Sequence, residues 1–158
     1  MQHIYVTTIT DFKFDVIKLI EEFKIFDKEF GNSFDPQGMA RKLHLVRFGK
    51  YYPKFLDKLP YTQEVLSKVK LLFNFDCVTY RVLFPKKCYD WHIDPYLIDH
   101  CYHIPLITNS ACEFVYEGNL RYRLPVGQLY RATTDIGHTF ENNGLAERVH
   151  ITFEKQLS

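Results

Sequence analysis

CVTYRVLFPKKCYDWHIDPYLIDHCYHIPLIT, residues 77–108, is where the chain changes texture. CVTYRVLF and CYHIPLIT are short runs rich in β-branched and aromatic residues, and Pro85 closes the first. Similar runs follow in CEFVY, LRYRL, QLYRAT, HTFEN and RVHITFE. They are separated by Asn109-Ser110, Glu117-Gly118-Asn119, Val126-Gly127 and Asn142-Asn143-Gly144. Seven or eight short strands punctuated by turn formers predict a β-sandwich or barrel. Within CVTYRVLF, alternation puts Val78, Tyr80, Val82 and Phe84 on one apolar face and Thr79, Arg81 and Leu83 on the other. The apolar face suits packing under helices, so Arg81 is expected to point into the barrel.

Upstream of Asp76 the spacing is helical. Residues 11–30 place Val16, Ile17, Ile20, Phe23 and Phe26 near helical intervals, with Asp11 as N-cap and Gly31 as stop. A second helix is expected from Thr62, as its cap, to Phe73. Helices first and strands afterwards predict an α+β domain, mainly β, with the N-terminal helices packed on one face of the barrel. No repeat, low-complexity tract or linker divides the chain. Residues 1–158 are therefore expected to form a single domain, with 1–75 mostly helical support and 76–156 the strand core.

Composition narrows the functional classes. At 158 residues, 46% hydrophobic and 16% aromatic, the chain can bury a core and is not of disordered composition. A net charge of +1 provides no strong global attraction to nucleic acid or anionic membrane. Four cysteines without a C-x-x-C pair fit free thiols in a reducing compartment. The N-terminus lacks a leader pattern and no apolar run reaches membrane-spanning length, so a cytoplasmic protein without a membrane partner is expected. The segment RKLHLVRFGKYYPKFLDK, residues 41–58, interleaves basic residues with Phe48, Tyr51, Tyr52 and Phe55. A solvated face with inward rings is favoured over single-stranded nucleic-acid contact, and a lid over the site is a third option.

The chemistry concentrates in WHIDP. In an extended segment His92 and Asp94 project to the same side. With seven histidines in the chain a chance His-x-Asp pair is not rare, so the pair needs partners. His138, at a strand start in DIGHTF, supplies one. Two histidines and one carboxylate, leaving other coordination positions open, suit non-haem Fe(II). Arg148 follows in ERVHITFE, and an arginine inside a small barrel is costly unless it meets an anion, so an inward Arg148 implies a carboxylate ligand. Trp91 is read as a rim residue or a substrate platform. His150, which shares the parity of Arg148, either lines the pocket or is structural.

The ordered set WHIDP, YHIPLITN, F-x-Y-E-G, L-x-x-G-Q-L-Y, GH-x-x-x-N-N-G and RVH resembles the aspartyl/asparaginyl β-hydroxylase family of Fe(II)- and 2-oxoglutarate-dependent dioxygenases, over residues 77–154. The resemblance implies a double-stranded β-helix (a jelly-roll, cupin-like barrel). It makes His92, Asp94 and His138 the iron ligands, pairs Arg148 with the C5 carboxylate of 2-oxoglutarate, and puts His103 near the co-substrate. It also implies O2 as oxidant, with ascorbate as the reductant in vitro. The activity it implies is hydroxylation of an unactivated C–H bond in an Asp, Asn or other amino-acid side chain, within a peptide or protein or in a free amino acid.

Two positions depart from the family pattern. Cys101 stands where an arginine is usual, and Arg81 stands where a small hydroxyl residue is often found. Arg81 is therefore expected to bring a second positive charge to the co-substrate. Arg121, Arg123 and Arg131, with residues 41–58, are expected to attract an acidic substrate side chain. Three alternatives stand: a nucleic-acid dealkylase or base oxygenase of the same chemistry, a non-enzymatic jelly-roll binding module, and a zinc hydrolase with the same ligands. Net charge disfavours the first, and Arg148 with the YHIPL element argues against the last.

Overall fold

The computed structural model describes residues 4–30, 38 and 40–157. Its strands are β1 (Val6–Ile9), β2 (Ala40–Arg47), β3 (Lys50–Tyr51), β4 (Cys77–Leu83), β5 (Lys87–Cys88), β6 (Leu97–Ile107), β7 (Cys112–Tyr116), β8 (Leu120–Tyr122), β9 (Leu129–Ala132), β10 (His138–Asn142) and β11 (Arg148–Gln156). Its helices are α1 (Val16–Phe30), α2 (Pro53–Leu56) and α3 (Pro60–Leu72). All seven strand runs read from the sequence after Asp76 form strands. They build two antiparallel sheets: a large one in the order β1-β9-β6-β11-β4-β2-β3 and a small one in the order β5-β10-β7-β8.

Two cores define three layers. Between the helices and the large sheet, Phe23 and Phe26 of α1 pack on Tyr80 with ring centroids 5.0 and 5.2 Å apart, and Val78, Val82 and Val69 join them. The face of β4 read as apolar is thus the one under the helices. Between the sheets, Leu83, Tyr130 and Ala132 meet Phe114, Tyr116 and Phe140. Each Leu, Val or Phe side chain among these, once buried, contributes about 1.5–3 kcal/mol relative to exposure. The jelly-roll expectation holds, with the helices on one face.

The N-terminal half contains more strand than its spacing predicts. β2, inside the basic 41–58 segment, pairs with β4 and is no solvated face. A register shift between His44 and Val46 lets the consecutive Leu45 and Val46 both bury. Leu43, Leu45 and Val46 turn inward from β2; of the rings, Phe55 packs inward against Phe26 at 5.5 Å, while Phe48 and Tyr51 are exposed. α1 begins after Asp15, whose Oδ1 accepts from the backbone N–H groups of Ile17 and Lys18 at 3.1 and 3.3 Å, so Asp15 replaces Asp11 as the cap. The Gly31 stop lies outside the described residues. α3 begins at Pro60, whose fixed φ suits the first turn. Thr62 sits inside that turn, and Glu22 of α1 accepts the N–H groups of Tyr61 and Thr62 at 2.7 and 2.6 Å. One helix therefore caps another. Among the described residues no helix is long and apolar enough to cross a membrane.

Candidate active site

His92 lies in the segment joining β5 to β6, and His138 opens β10. Their backbones exchange hydrogen bonds, His92 N to His138 O at 3.1 Å and His138 N to His92 O at 3.0 Å. The Asp94 N–H donates to Thr134 O at 2.7 Å, which pins the third residue beside them. Nδ1 of His92 is 2.6 Å from Asp90 O, and Nδ1 of His138 is 2.7 Å from Ile136 O. A carbonyl only accepts, so each Nδ1 carries the proton and each Nε2 is left with its lone pair. Both Nε2 atoms lie 3.5 Å from Asp94 Oδ2, and the three groups place a donor atom within 4.8 Å of one another. Burial opposes ionisation of Asp94, but its contacts with His138 and His92 outweigh that and hold the carboxyl well below the usual carboxylate range. Two imidazole lone pairs and a carboxylate aimed at one point are the donor set a divalent metal needs.

These residues open onto a cavity of about 310 Å³ between the sheets, lined also by Arg81, Tyr89, His103, Phe114, Phe140 and Arg148. Arg148 is 1% exposed, and its guanidinium stands 4.0 Å over the Phe140 ring. Its Nε has no hydrogen-bond partner. Burial lowers its pKa from the ordinary arginine value, the direction expected of a cation taken out of water without an anion beside it. The Tyr89 hydroxyl is buried, lies against Arg148 without a formed hydrogen bond, and is in electrostatic reach of Arg81. Behind them His103 and His150 meet Nδ1 to Nδ1 at 3.3 Å. Burial, then the Arg148 charge, pushes both imidazoles well below the ordinary histidine value, so both are neutral and one donates to the other. The Nε2 of His150 is left without a partner.

The structure thus brings His92, Asp94, His138, His103, Arg148 and Arg81 to one cavity. Arg81 enters it as strand parity predicts, with Nε donating to Thr152 Oγ1 at 3.1 Å and a terminal N–H donating to Glu154 Oε1 at 2.6 Å. Cys101 Sγ is 3.9 Å from the same Glu154 oxygen. The guanidinium from β4 therefore arrives beside the residue that stands in place of an arginine on β6. Burial works against the Arg81 charge, and Glu154 more than offsets it.

Other expectations fare differently. His150 backs His103 rather than lining the cavity, and Trp91 lies outside it. Of residues 41–58 only Lys42 reaches the lining, and Arg121, Arg123 and Arg131 do not. Arg121 is committed to Asn119, Glu141 and Glu113, at 3.0, 3.0 and 3.4 Å. Tyr89 and Glu154 were not read from the sequence. The only signal for Tyr89 is its place just ahead of His92.

Residues 14–155 match the family described as Aspartyl/Asparaginyl beta-hydroxylase. Among solved structures, the chain is similar to a prolyl hydroxylase from Trichoplax adhaerens in complex with a hypoxia inducible factor oxygen degradation domain peptide fragment. The TM-score is 0.64 at 12% identity, over 96% of this chain and 83% of that one. It is also similar to the viral collagen prolyl hydroxylase of Paramecium Bursaria Chlorella virus-1, with TM-score 0.61 and 12% identity over 98% and 97% of the two chains. An oxidoreductase of the 2OG-Fe(II) oxygenase family from Burkholderia pseudomallei gives TM-score 0.56 and 13% identity over 85% and 76%. At these identities what is shared is the fold. No curated protein matches the sequence.

Proposed function

The chain belongs to the aspartyl/asparaginyl β-hydroxylase family, and from that premise we propose that it is an Fe(II)- and 2-oxoglutarate-dependent hydroxylase of an amino-acid side chain, Asp or Asn first, carried by a polypeptide. The observation that supports this most directly is a pairing. Two Nε2 lone pairs and the Asp94 carboxylate converge at one end of a cavity, and a buried guanidinium with an unpartnered N–H stands in its lining. A metal with open positions and a carboxylate-bearing co-substrate answer both ends at once.

In this reading His92, Asp94 and His138 hold the iron, and the backbone carbonyls of Asp90 and Ile136 fix the two rings through their Nδ1 protons. When bound, iron with 2-oxoglutarate supplies the oxidising power, one oxygen atom going into succinate and the other into the substrate C–H bond. Arg148 pairs with the C5 carboxylate, and the Tyr89 hydroxyl donates beside it. His103 presents Nε2 to the co-substrate. For that nitrogen to donate, its Nδ1 must accept, so His150 is the partner that donates across the 3.3 Å contact. Arg81, anchored by Glu154 and Thr152, adds positive charge next to Cys101. Phe114 and Phe140 keep the cavity poor in water, which strengthens each of these interactions. A peptide complex of the Trichoplax prolyl hydroxylase supports a polypeptide substrate.

The test is incubation with Fe(II), ascorbate, 2-oxoglutarate and mixed peptides, reading succinate release and peptide mass. Succinate and a peptide heavier by one oxygen atom are expected. No metal-dependent succinate under any peptide mixture would leave a binding module, and nucleobase oxidation without peptide oxidation would move the substrate class.

A further inference from the structure

His92 is shared between the cavity and a second, open groove of about 780 Å³ on the outer side of the small sheet. The alternation of side chains that turns His92 and Asp94 toward each other turns Trp91 and Ile93 outward, where they are 57% and 51% exposed. Val115, Glu117, Arg121 and Glu141 complete the lining used here. The segment that carries two candidate ligands therefore also floors a groove with an indole.

The charge of that groove is decided by which groups are already spent. Arg121 is held by Asn119, Glu113 and Glu141, so its charge is balanced within the sheet. Glu117 is different. Its backbone N–H donates to Gly137 O at 3.0 Å, and a Cβ at Gly137 would collide with its carboxylate. Gly137 does not have a positive φ, so the missing side chain there serves space, and Glu117 fills that space. The Glu117 carboxylate has no hydrogen-bond or ion-pair partner among the described residues. An uncommitted carboxylate, an exposed indole and a shared wall with His92 suit a cationic side chain, which gains from both the charge and the ring face. Acidic polypeptides and nucleic-acid backbones carry the wrong sign.

Resting on the hydroxylase reading, we infer that this groove receives a lysine or arginine side chain of the polypeptide substrate, between Trp91 and Glu117, so that a neighbouring residue is delivered past His92. This replaces the expectation of an acidic substrate segment drawn from Arg121, Arg123 and Arg131.

Trp91 is the sole tryptophan, so its fluorescence reports on the groove without any turnover. The probes are a capped peptide of alternating glycine and arginine and its glutamate counterpart, titrated into the full-length chain. Saturable quenching by the arginine peptide alone is expected, weakening as salt rises. Glu117→Gln should weaken it about fivefold, the scale of one exposed ion pair, and Glu117→Lys should abolish it. Both variants should convert 2-oxoglutarate to succinate without peptide at the wild-type rate. Equal quenching by the glutamate peptide, no quenching by either, or unchanged affinity in Glu117→Gln would overturn the inference. Selective arginine quenching in a protein that never forms succinate would sink the hydroxylase reading and leave the cation specificity of the groove standing.

Discussion

One wall of the cavity carries His92, Asp94 and His138, and another carries Tyr89 and Arg148, with His150 behind it against His103. On the first, each imidazole proton already has a carbonyl, and Asp94 also accepts from the Tyr96 hydroxyl at 3.0 Å. On the second, the Tyr89 hydroxyl, Arg148 Nε and His150 Nε2 are all buried without a partner. Buried unsatisfied groups cost about 1–3 kcal/mol each. Folding alone gives every ring proton of the first wall its partner. The Tyr89 and Arg148 donors of the second suit an anion, which His150 Nε2, an acceptor once its Nδ1 donates to His103, does not. On the proposed reading, the contrast separates a preorganised metal end from a co-substrate end whose donors binding would satisfy.

The largest expected effect breaks the completed wall. His92→Ala or His138→Ala should abolish both Mn(II) binding, measured by calorimetry, and succinate formation. Wild-type metal affinity in either variant would remove that residue from the ligand set.

Arg148→Met sharpens the contrast from the other side. The 2-oxoglutarate Kd, measured with Mn(II) present, should rise roughly 30-fold or more, since losing the partner of a desolvated charge costs about 2–5 kcal/mol. The unliganded protein should be as stable as wild type or more so, because a buried unpaired cation has gone. A clear loss of stability in denaturant unfolding would mean Arg148 is already satisfied in the folded chain.

A smaller effect lies in pH. His103 and His150 are held neutral by burial, with Arg148 adding to it. Below an unfolded value of about 6.5 the unfolded chain binds protons that the folded chain refuses, so this part of the stability is full above that pH. It falls as pH drops toward the lowered folded values, by up to about 1.4 kcal/mol per pH unit for each ring. His150→Phe should flatten the pH slope of unfolding free energy below pH 6.5, relative to wild type. An unchanged slope would show that His150 carries a proton in the folded state.

The smallest effect expected is that of Tyr89→Phe. It should raise the 2-oxoglutarate Kd about fivefold, the scale of one hydrogen bond, with Mn(II) affinity unchanged. An unaltered Kd would make the phenol packing alone.

The sequence made the strands after Asp76 legible because each run is short, apolar on alternate positions and closed by a turn former. It made the triad legible because His92, Asp94 and His138 are few, typed and ordered. β2 was hidden because Arg41, Lys42, His44 and Arg47 mask its aliphatic positions, and a register shift breaks the alternation at Leu45 and Val46. The cap at Asp15 and the start at Pro60 were missed because other cap-forming residues lay nearby, and the partner of the second helix start is Glu22, on another helix. Arg81 could be aimed by parity, but its anchor Glu154 lies on β11, and only the β4–β11 pairing brings the two together. Tyr89 carries no distinguishing pattern, being one of eleven tyrosines. Local pattern gives element type and facing, while partners distant in sequence come only from the assembled sheet.

The reciprocal main-chain bonds between His92 and His138 carry one more implication. The relative placement of the two rings is set by peptide groups, which no side-chain exchange removes. Randomising Trp91, Ile93, Glu117 and Arg121 should therefore yield a collection of variants that differ in what they select while keeping the same reactive centre. The fold separates a fixed chassis from an interchangeable fitting, and laboratory evolution toward new substrates has its natural starting point at those four positions.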